Sequence, residues 1–227
     1  MRWPNNINDA KEIQEGLRTN VRIEPLLKAP RFIAGVDAAF TEDGVIAAAC
    51  VFLYPEMLHL EDAHAVTQLP FPYIPGYLAF REGPAILAAL THLKIKPDIM
   101  LVDGHGVAHP KGIGIASHIG VLMDLPAIGC AKSRLTGEYE ESGPKRGDWA
   151  ALRYDGEIVG SVLRTRDGVR PLFVSPGHRI TLEECREVVL RSAVSYRLPE
   201  PLRRADRISR ALKGNGFSGH RSAFADA

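Results

Sequence analysis

Acidic residues follow two apolar runs of the sequence. Asp37 comes directly after residues 32–36, and Asp103 directly after residues 99–102. Such runs predict buried strands, and open α/β sheets bind their ligands beyond the carboxyl ends of strands. If the two strands are neighbours, the two carboxylates converge. Glu82, at the predicted entrance of the following helix, would supply a third carboxylate.

Three converging carboxylates would repel one another, and a divalent cation would remove that repulsion. Ligands that are all oxygen favour Mg²⁺ or Mn²⁺ over zinc. A cation held in this way can polarise a phosphate and activate water for attack on a phosphodiester. Asp37 or Asp103 alone would fit an ordinary strand end equally well. The pair, with Gly104 and Gly106 clearing space beside Asp103, favours a metal site.

Three other motifs suggest different chemistry, and the surrounding sequence disfavours each of them. His105 and His109 have the spacing of zinc ligands on a helix, but nearby glycines and a proline disfavour a helix there. Gly112-Ile-Gly114 resembles part of a dinucleotide fingerprint, yet it does not directly follow a strand. Ser175-Pro-Gly-His178 is not a nucleophile elbow, which disfavours serine hydrolysis.

The elements that must position these residues follow from hydrophobic periodicity and turn signals. The predicted strands are residues 31–40, 45–54 and 58–68 as an antiparallel meander, 99–102 and 126–131 as buried parallel strands, and a second hairpin turning at Asp155-Gly156. The predicted helices are residues 84–94, 115–122, one from the capping box 181–184 towards Tyr196, and a shorter one near Pro201.

This order predicts an α/β fold: a ribonuclease-H-like mixed sheet, made of a three-strand antiparallel meander plus parallel strands and flanked by helices. Neither an internal repeat nor a linker is evident in the sequence. We therefore expect one domain over residues 1–213. The glycine-rich end, residues 214–227, is expected to be a flexible tail.

Composition limits the class of protein. Of 227 residues, 45% are hydrophobic and 24% charged, which is typical of a soluble globular protein. The net charge is +1, so any affinity for nucleic acid must come from a local basic face. Three cysteines, without a CxxC pair, are expected to be small buried side chains in a reducing cytoplasm. No apolar leader or membrane span is evident, and we expect a cytoplasmic protein.

Nine segments, in order, resemble the endonuclease V family over nearly the whole chain. They are Gly35-Val-Asp37, Pro72-Tyr-Ile-Pro75, Leu78-Ala-Phe-Arg-Glu82, Val102-Asp-Gly-His-Gly106, Ala108-His-Pro110, Gly114-Ile-Ala-Ser-His-Ile-Gly120, Ala131-Lys-Ser-Arg134, Ser175-Pro-Gly-His178 and Tyr196-Arg-Leu-Pro-Glu-Pro201. The resemblance implies a ribonuclease-H-like DNA-repair endonuclease that recognises deoxyinosine in DNA. It also implies Mg²⁺-dependent hydrolysis, with Mn²⁺ as a substitute, of the second phosphodiester bond 3′ to the lesion, leaving 3′-hydroxyl and 5′-phosphate ends.

The resemblance also assigns roles to residues. Asp37, Glu82 and Asp103 fall on the family's catalytic carboxylates, and Lys132 on an active-site lysine. Tyr73 falls on an aromatic wedge that separates the strands. The positions that match the pocket for the flipped base are Gly76, Leu78, Gly104, Gly106, Ile115, Gly129 and Leu135.

The C-terminal part combines one acidic candidate with a basic stretch. Asp206 matches a fourth metal-site position, where relatives carry histidine or aspartate. It lies in a basic stretch made of Arg203, Arg204, Arg207, Arg210 and Lys213. This stretch suits phosphates and equally suits a solvated helix face. An inosine-directed endoribonuclease on the same fold stays open as an alternative. A non-catalytic nucleic-acid-binding protein is disfavoured by the intact carboxylates.

Overall fold

A computed structural model describes residues 3–42, 44–68 and 71–214 of the chain. In chain order, its elements are α1 (Ile7–Arg18), β1 (Phe32–Phe40), β2 (Gly44–Leu53), β3 (Leu58–Gln68), α2 (Leu78–Thr91), β4 (Ile99–Val102), α3 (Ile115–Met123), β5 (Ala127–Ala131), β6 (Trp149–Tyr154), β7 (Glu157–Leu163), β8 (Leu172–His178), α4 (Leu182–Ser192) and α5 (Glu200–Gly214).

The strands form one eight-stranded sheet with the order β3-β2-β1-β4-β5-β8-β7-β6. β1, β4 and β5 run parallel to one another, and the other pairings are antiparallel. The antiparallel meander, the two buried parallel strands and the hairpin at residues 155–156 are therefore confirmed. The predicted fold class, a ribonuclease-H-like mixed sheet flanked by helices, is confirmed with them.

Helices cover both faces of the sheet because neighbouring residues of a strand point in opposite directions. Ala34 and Val36 of β1 belong to the core beneath α2 and α3, whereas Ile33 belongs to the core beneath α4 and α5. The three cysteines are free and buried, as expected. Among the described residues, every helix is too short or too polar to cross a membrane.

Two helix predictions are wrong in their extent. α2 begins at Leu78, so Pro84 lies inside the helix and not in its first turn. The earlier start buries Ala79 and Phe80, and Phe80 packs with Phe71. α5 has 15 residues against 11 in α4, so it is the longer of the two and not the shorter.

Two elements were not predicted. α1 buries only Ala10 and Gln14, so its apolar signal is weak. β8 contains Pro176 and Gly177, residues that disfavour a strand. Of the predicted tail, residues 215–227 lie outside the described part of the chain.

Candidate active site

Asp37 and Asp103 lie side by side because β1 and β4 are parallel neighbours. Val36 pairs with Val102, and the Asp103 N–H donates to the Val36 carbonyl over 3.3 Å. Asp37 and Asp103 are thus the residues that directly follow the paired Val36 and Val102. The expectation that the two strands are neighbours, on which the convergence of the carboxylates depended, is confirmed.

Asp206 reaches the same place from α5. This helix packs on β1 and β2, and Gly35 permits the close approach. A β-carbon at Gly35 would clash with the backbone of Pro201 and Leu202. As a result, Asp37, Asp103 and Asp206 bring carboxylate oxygens within 4.8 Å of one another.

Glu82 faces the same space without belonging to that closely spaced set. It lies inside α2 and lines a cleft of about 400 Å³, here called the acidic cleft, together with the three aspartates. Glu82 is only 8% exposed. Burial, then the charges of Asp37 and Asp103, raise the pKa of Glu82 to about 8. Its position inside a helix, and not at the entrance, corrects the sequence prediction.

The carboxyl of Asp37 is also hard to ionise. Burial, followed by the charge of Asp103, raises its pKa to about 6. One hydrogen bond opposes this shift, from the fully buried Ser209 hydroxyl to Asp37 Oδ2 over 2.8 Å. Ser209 was missed by sequence reasoning, although it lies three residues after Asp206 on the same helix. The cluster therefore carries negative charge that its protein surroundings only partly compensate.

Lys132 supplies positive charge to the cluster. It follows β5, and its Nζ lies 2.5 Å from Asp103 Oδ2 and 3.6 Å from Asp206 Oδ1. Burial lowers the pKa of Lys132, but the hydrogen bond and charge of Asp103 outweigh this and raise it. The ammonium is thus held in its charged form at the rim of the acidic cleft.

The basic stretch of α5 contains side chains that pair with other parts of the protein and side chains that line the acidic cleft. Arg204 is fixed by two hydrogen bonds to Asp62, and Arg203 pairs with Glu200. Arg210 and Lys213, by contrast, line the acidic cleft, and Arg210 pairs with Asp206 over 2.9 Å. Only part of the stretch is therefore placed for a phosphate near the carboxylates.

A second cleft of about 360 Å³ adjoins the acidic one, since Asp103 and Lys132 line both. Five of the seven residues assigned to a base pocket line this second cleft: Gly76, Leu78, Gly104, Ile115 and Leu135. Gly106 and Gly129 do not line it. A β-carbon at Gly129 would clash with the Gly106 backbone, so these two glycines allow close packing behind the cleft.

Tyr73 stands at the mouth of the second cleft. Its side chain is 66% exposed, and the Arg81 guanidinium lies 6.0 Å from the ring centroid. A tyrosine serving only to pack on the core would be covered. The ring is free to contact a partner outside the protein.

The remaining motifs of the sequence make structural hydrogen bonds. His105 Nε2 is 3.1 Å from the Ser133 carbonyl, and His109 Nδ1 accepts from the Lys111 N–H. The Ser175 hydroxyl accepts from the Gly106 N–H over 2.9 Å. Gly114 is the N-cap of α3.

Comparison with known proteins identifies the family. A sequence model described as Endonuclease V matches residues 15–207. The chain is 49% identical over 207 residues to endonuclease V of Roseiflexus castenholzii, covering 91% of this chain and 93% of that one. The crystal structure of the Streptomyces avermitilis endonuclease V superposes with a TM-score of 0.89 and 44% identity, covering 94% and 96%. The chain belongs to the endonuclease V family.

A further endonuclease V structure contains nucleic acid. It is the Ciona intestinalis protein in complex with a 24-mer DNA that contains an inosine followed by a ribo-adenosine. This protein has a TM-score of 0.79 and 27% identity, over 92% of this chain and 98% of that one. Endonuclease V proteins are nucleases, so the clefts described above belong to an endonuclease.

Proposed function

We propose that this endonuclease V recognises deoxyinosine in DNA and hydrolyses the second phosphodiester bond 3′ to it, with Mg²⁺ as the metal and Mn²⁺ as a substitute. The products are a 3′-hydroxyl and a 5′-phosphate, and the role is DNA repair. The observation that carries the proposal is the shared wall of the two clefts. Asp103 and Lys132 line both, so a base in the second cleft places its own strand beside the carboxylates.

The donor set fits a hard divalent cation. Asp37, Asp103 and Asp206 offer oxygens within 4.8 Å of one another, and Glu82 faces them. Several carboxylate oxygens this close together suit Mg²⁺ or Mn²⁺. Burial, followed by the charges of neighbouring carboxylates, raises the pKa of Asp37 and of Glu82, so a cation would stabilise their ionised forms. When bound, the cation supplies charge stabilisation at the phosphate and a more acidic water.

The protein's own side chains then have distinct tasks. Asp37, Asp103 and Asp206 hold the cation, and Ser209 orients the Asp37 carboxylate through its hydroxyl. Lys132 presents an ammonium to a non-bridging phosphate oxygen. Glu82 would face the same cation from α2.

Base recognition belongs to the second cleft. Its volume of about 360 Å³ lies at the lower end of the range for ligand pockets, which suits a single purine. A base must leave the duplex to enter it, and extrusion costs a few kcal/mol. The exposed ring of Tyr73 at the mouth can stack on the gap and offset part of that cost.

An inosine-directed endoribonuclease is the second candidate. The observation that favours it is the ribo-adenosine next to the inosine in the Ciona intestinalis complex. Contacts to a 2′-hydroxyl would distinguish the two substrates. Cleavage of matched DNA and RNA strands, each with one inosine, decides between them by the ratio of kcat/KM.

The proposed function is tested by nicking of an end-labelled duplex with one deoxyinosine, beside the same duplex with deoxyadenosine. We expect a nick at the second phosphodiester 3′ to the lesion with Mg²⁺ or Mn²⁺, and none in chelator. Ca²⁺ should permit binding with little cutting, because its larger radius and looser coordination disturb the attacking geometry. Full activity in chelator would overturn the metal mechanism, and equal nicking of both duplexes would overturn the specificity.

A further inference from the structure

Gln14 is a buried amide on α1, a helix with no other part in the proposed chemistry. Its side chain is 3% exposed, and it lines the second cleft. Its Nε2 donates to the Gly76 carbonyl over 3.0 Å and lies 3.4 Å from the Ile113 carbonyl. One amide group thus uses both of its N–H donors on two different backbone segments.

These two acceptors belong to two separate segments of the chain that both line the second cleft. Gly76 lies at the end of residues 71–77, here called the Tyr73 loop, which carries the exposed ring. Ile113 precedes Gly114, the N-cap of α3, and both Gly114 and Ile115 also line the cleft. Because a buried amide is stable only when its donors are paired, Gln14 ties these two segments to each other.

His109 lines the second cleft together with Gly76. The Lys111 N–H donates to His109 Nδ1 over 3.1 Å, which leaves the ring proton on Nε2. Gly76 has φ +85°, a conformation that few other residues adopt.

We propose that Gln14 is a positioning residue for base recognition, whose amide ties the Tyr73 loop to the segment before α3 and so sets the width of the second cleft. This inference rests on the proposed function, because it assumes that a flipped base enters this cleft. It makes α1 a part of the recognition site. Gln14 does not touch the carboxylates, so its removal should alter selectivity and leave the chemical step in place.

The informative variants separate hydrogen bonding from packing. Gln14→Met keeps nearly the same length and volume but removes both donors. Gln14→Glu keeps the shape and presents oxygens to the two carbonyls. The matched control is Asn6→Ala, because Asn6 caps α1 by accepting from the Asn8 and Asp9 N–H groups and does not touch the cleft. It weakens α1 and leaves the contacts of Gln14 unchanged.

The first measurement is binding to labelled duplexes with deoxyinosine or deoxyadenosine, by fluorescence anisotropy in Ca²⁺, with a melting temperature for each variant. For Gln14→Met and Gln14→Glu we expect the preference for deoxyinosine to fall about fivefold or more, since a wider pocket discriminates less. The Kd for the deoxyadenosine duplex should stay within about twofold, because phosphate contacts dominate it. Asn6→Ala should keep the preference of the wild-type protein.

The second measurement is nicking kinetics in Mg²⁺. Gln14→Met should raise KM for the deoxyinosine duplex, with kcat within about twofold of wild type, as expected for lost binding and intact chemistry. A preference within about twofold of wild type for Gln14→Met overturns the inference. An equal loss in Asn6→Ala at the same change in melting temperature also overturns it. A wild-type protein that does not prefer deoxyinosine overturns the proposed function instead, so the two failures are distinguishable.

Discussion

Lys132 and Asp103 form an ion pair, 2.5 Å from Nζ to Oδ2, on the wall shared by the two clefts. The same ammonium lies 3.6 Å from Asp206. A positive charge held between two carboxylates partly neutralises them before any cation binds. In the proposed function, the scissile phosphate would lie beside this ammonium. The pair would then link base recognition to hydrolysis, because it lies on the wall that both clefts share.

Removing the carboxylate of either Asp37 or Asp103 should abolish nicking. Asp37→Ala or Asp103→Ala removes a ligand of the proposed cation, while the second cleft keeps most of its lining. Nicking and deoxyinosine binding are measured in parallel on the same duplex. Glu187→Gln is the control, since this exposed carboxylate pairs with Arg191 on α4, away from the acidic cleft. If both variants kept more than about a tenth of the wild-type rate, less than about 1.4 kcal/mol of barrier would be involved and the assignment would be wrong.

Stability without metal should fall as the pH rises. Asp37 and Glu82 have pKa values raised to about 6 and about 8 in the folded protein, above their ordinary values of 3.8 and 4.5. Between the ordinary and raised values the folded state holds more protons than the unfolded state. The free energy of unfolding therefore decreases from about pH 4 to about pH 8 through these two groups.

Mg²⁺ should reverse this trend, because it binds only the ionised cluster of the folded protein. The measurement is urea denaturation from pH 5 to 8, in chelator and in excess Mg²⁺. The double variant Asp37→Asn with Glu82→Gln should flatten the decrease in chelator and lose the stabilisation by Mg²⁺. A wild-type protein whose unfolding free energy is unaffected by Mg²⁺ at pH 8 would argue against a cation in the acidic cleft.

The convergence of Asp37 and Asp103 could be predicted because each follows an apolar run. Parallel strands bring such positions to one edge of a sheet, so a local pattern sufficed. Glu82 was found by its residue type and by resemblance, but its placement was wrong. Pro84 suggested a helix start, whereas α2 begins at Leu78. The earlier start allows Ala79 and Phe80 to be buried.

The contributions of α1 and α5 could not be predicted from local patterns. Gln14 and Ser209 are buried polar residues whose partners lie 62 and 172 residues away in sequence. Nothing in a local pattern specifies such partners. Similarly, β8 contains a proline and a glycine, and only its pairing with β5 and β7 makes it a strand. Tertiary contacts override local preference at these positions.

Adding one methyl group at Gly35 should displace α5 and Asp206. A β-carbon there would clash with the Pro201 backbone, which cannot move without its helix. Gly35→Ala should lower the unfolding free energy by about 1–3 kcal/mol and reduce nicking, both from overpacking. Gly16→Ala is the control, since nothing lies within 4 Å of the added carbon. Replacing a glycine inside α1 should raise the unfolding free energy by about 0.5–1 kcal/mol. Unchanged stability and activity in Gly35→Ala would mean that α5 is not held by this contact.

Tyr73 provides the most specific prediction about the duplex. If its exposed ring replaces the stacking lost by the flipped base, Tyr73→Ala should cost on the order of 1–3 kcal/mol in duplex recognition. The loss should be smaller on single strands or beside a mismatch, where opening the helix is already cheap. Tyr73→Phe should be mild, because the face of the ring stacks and the hydroxyl does not. The measurement is kcat/KM for one lesion in paired, mismatched and single-stranded contexts. An equal loss in all three contexts would mean that Tyr73 supports the conformation of its loop and does not act as a wedge.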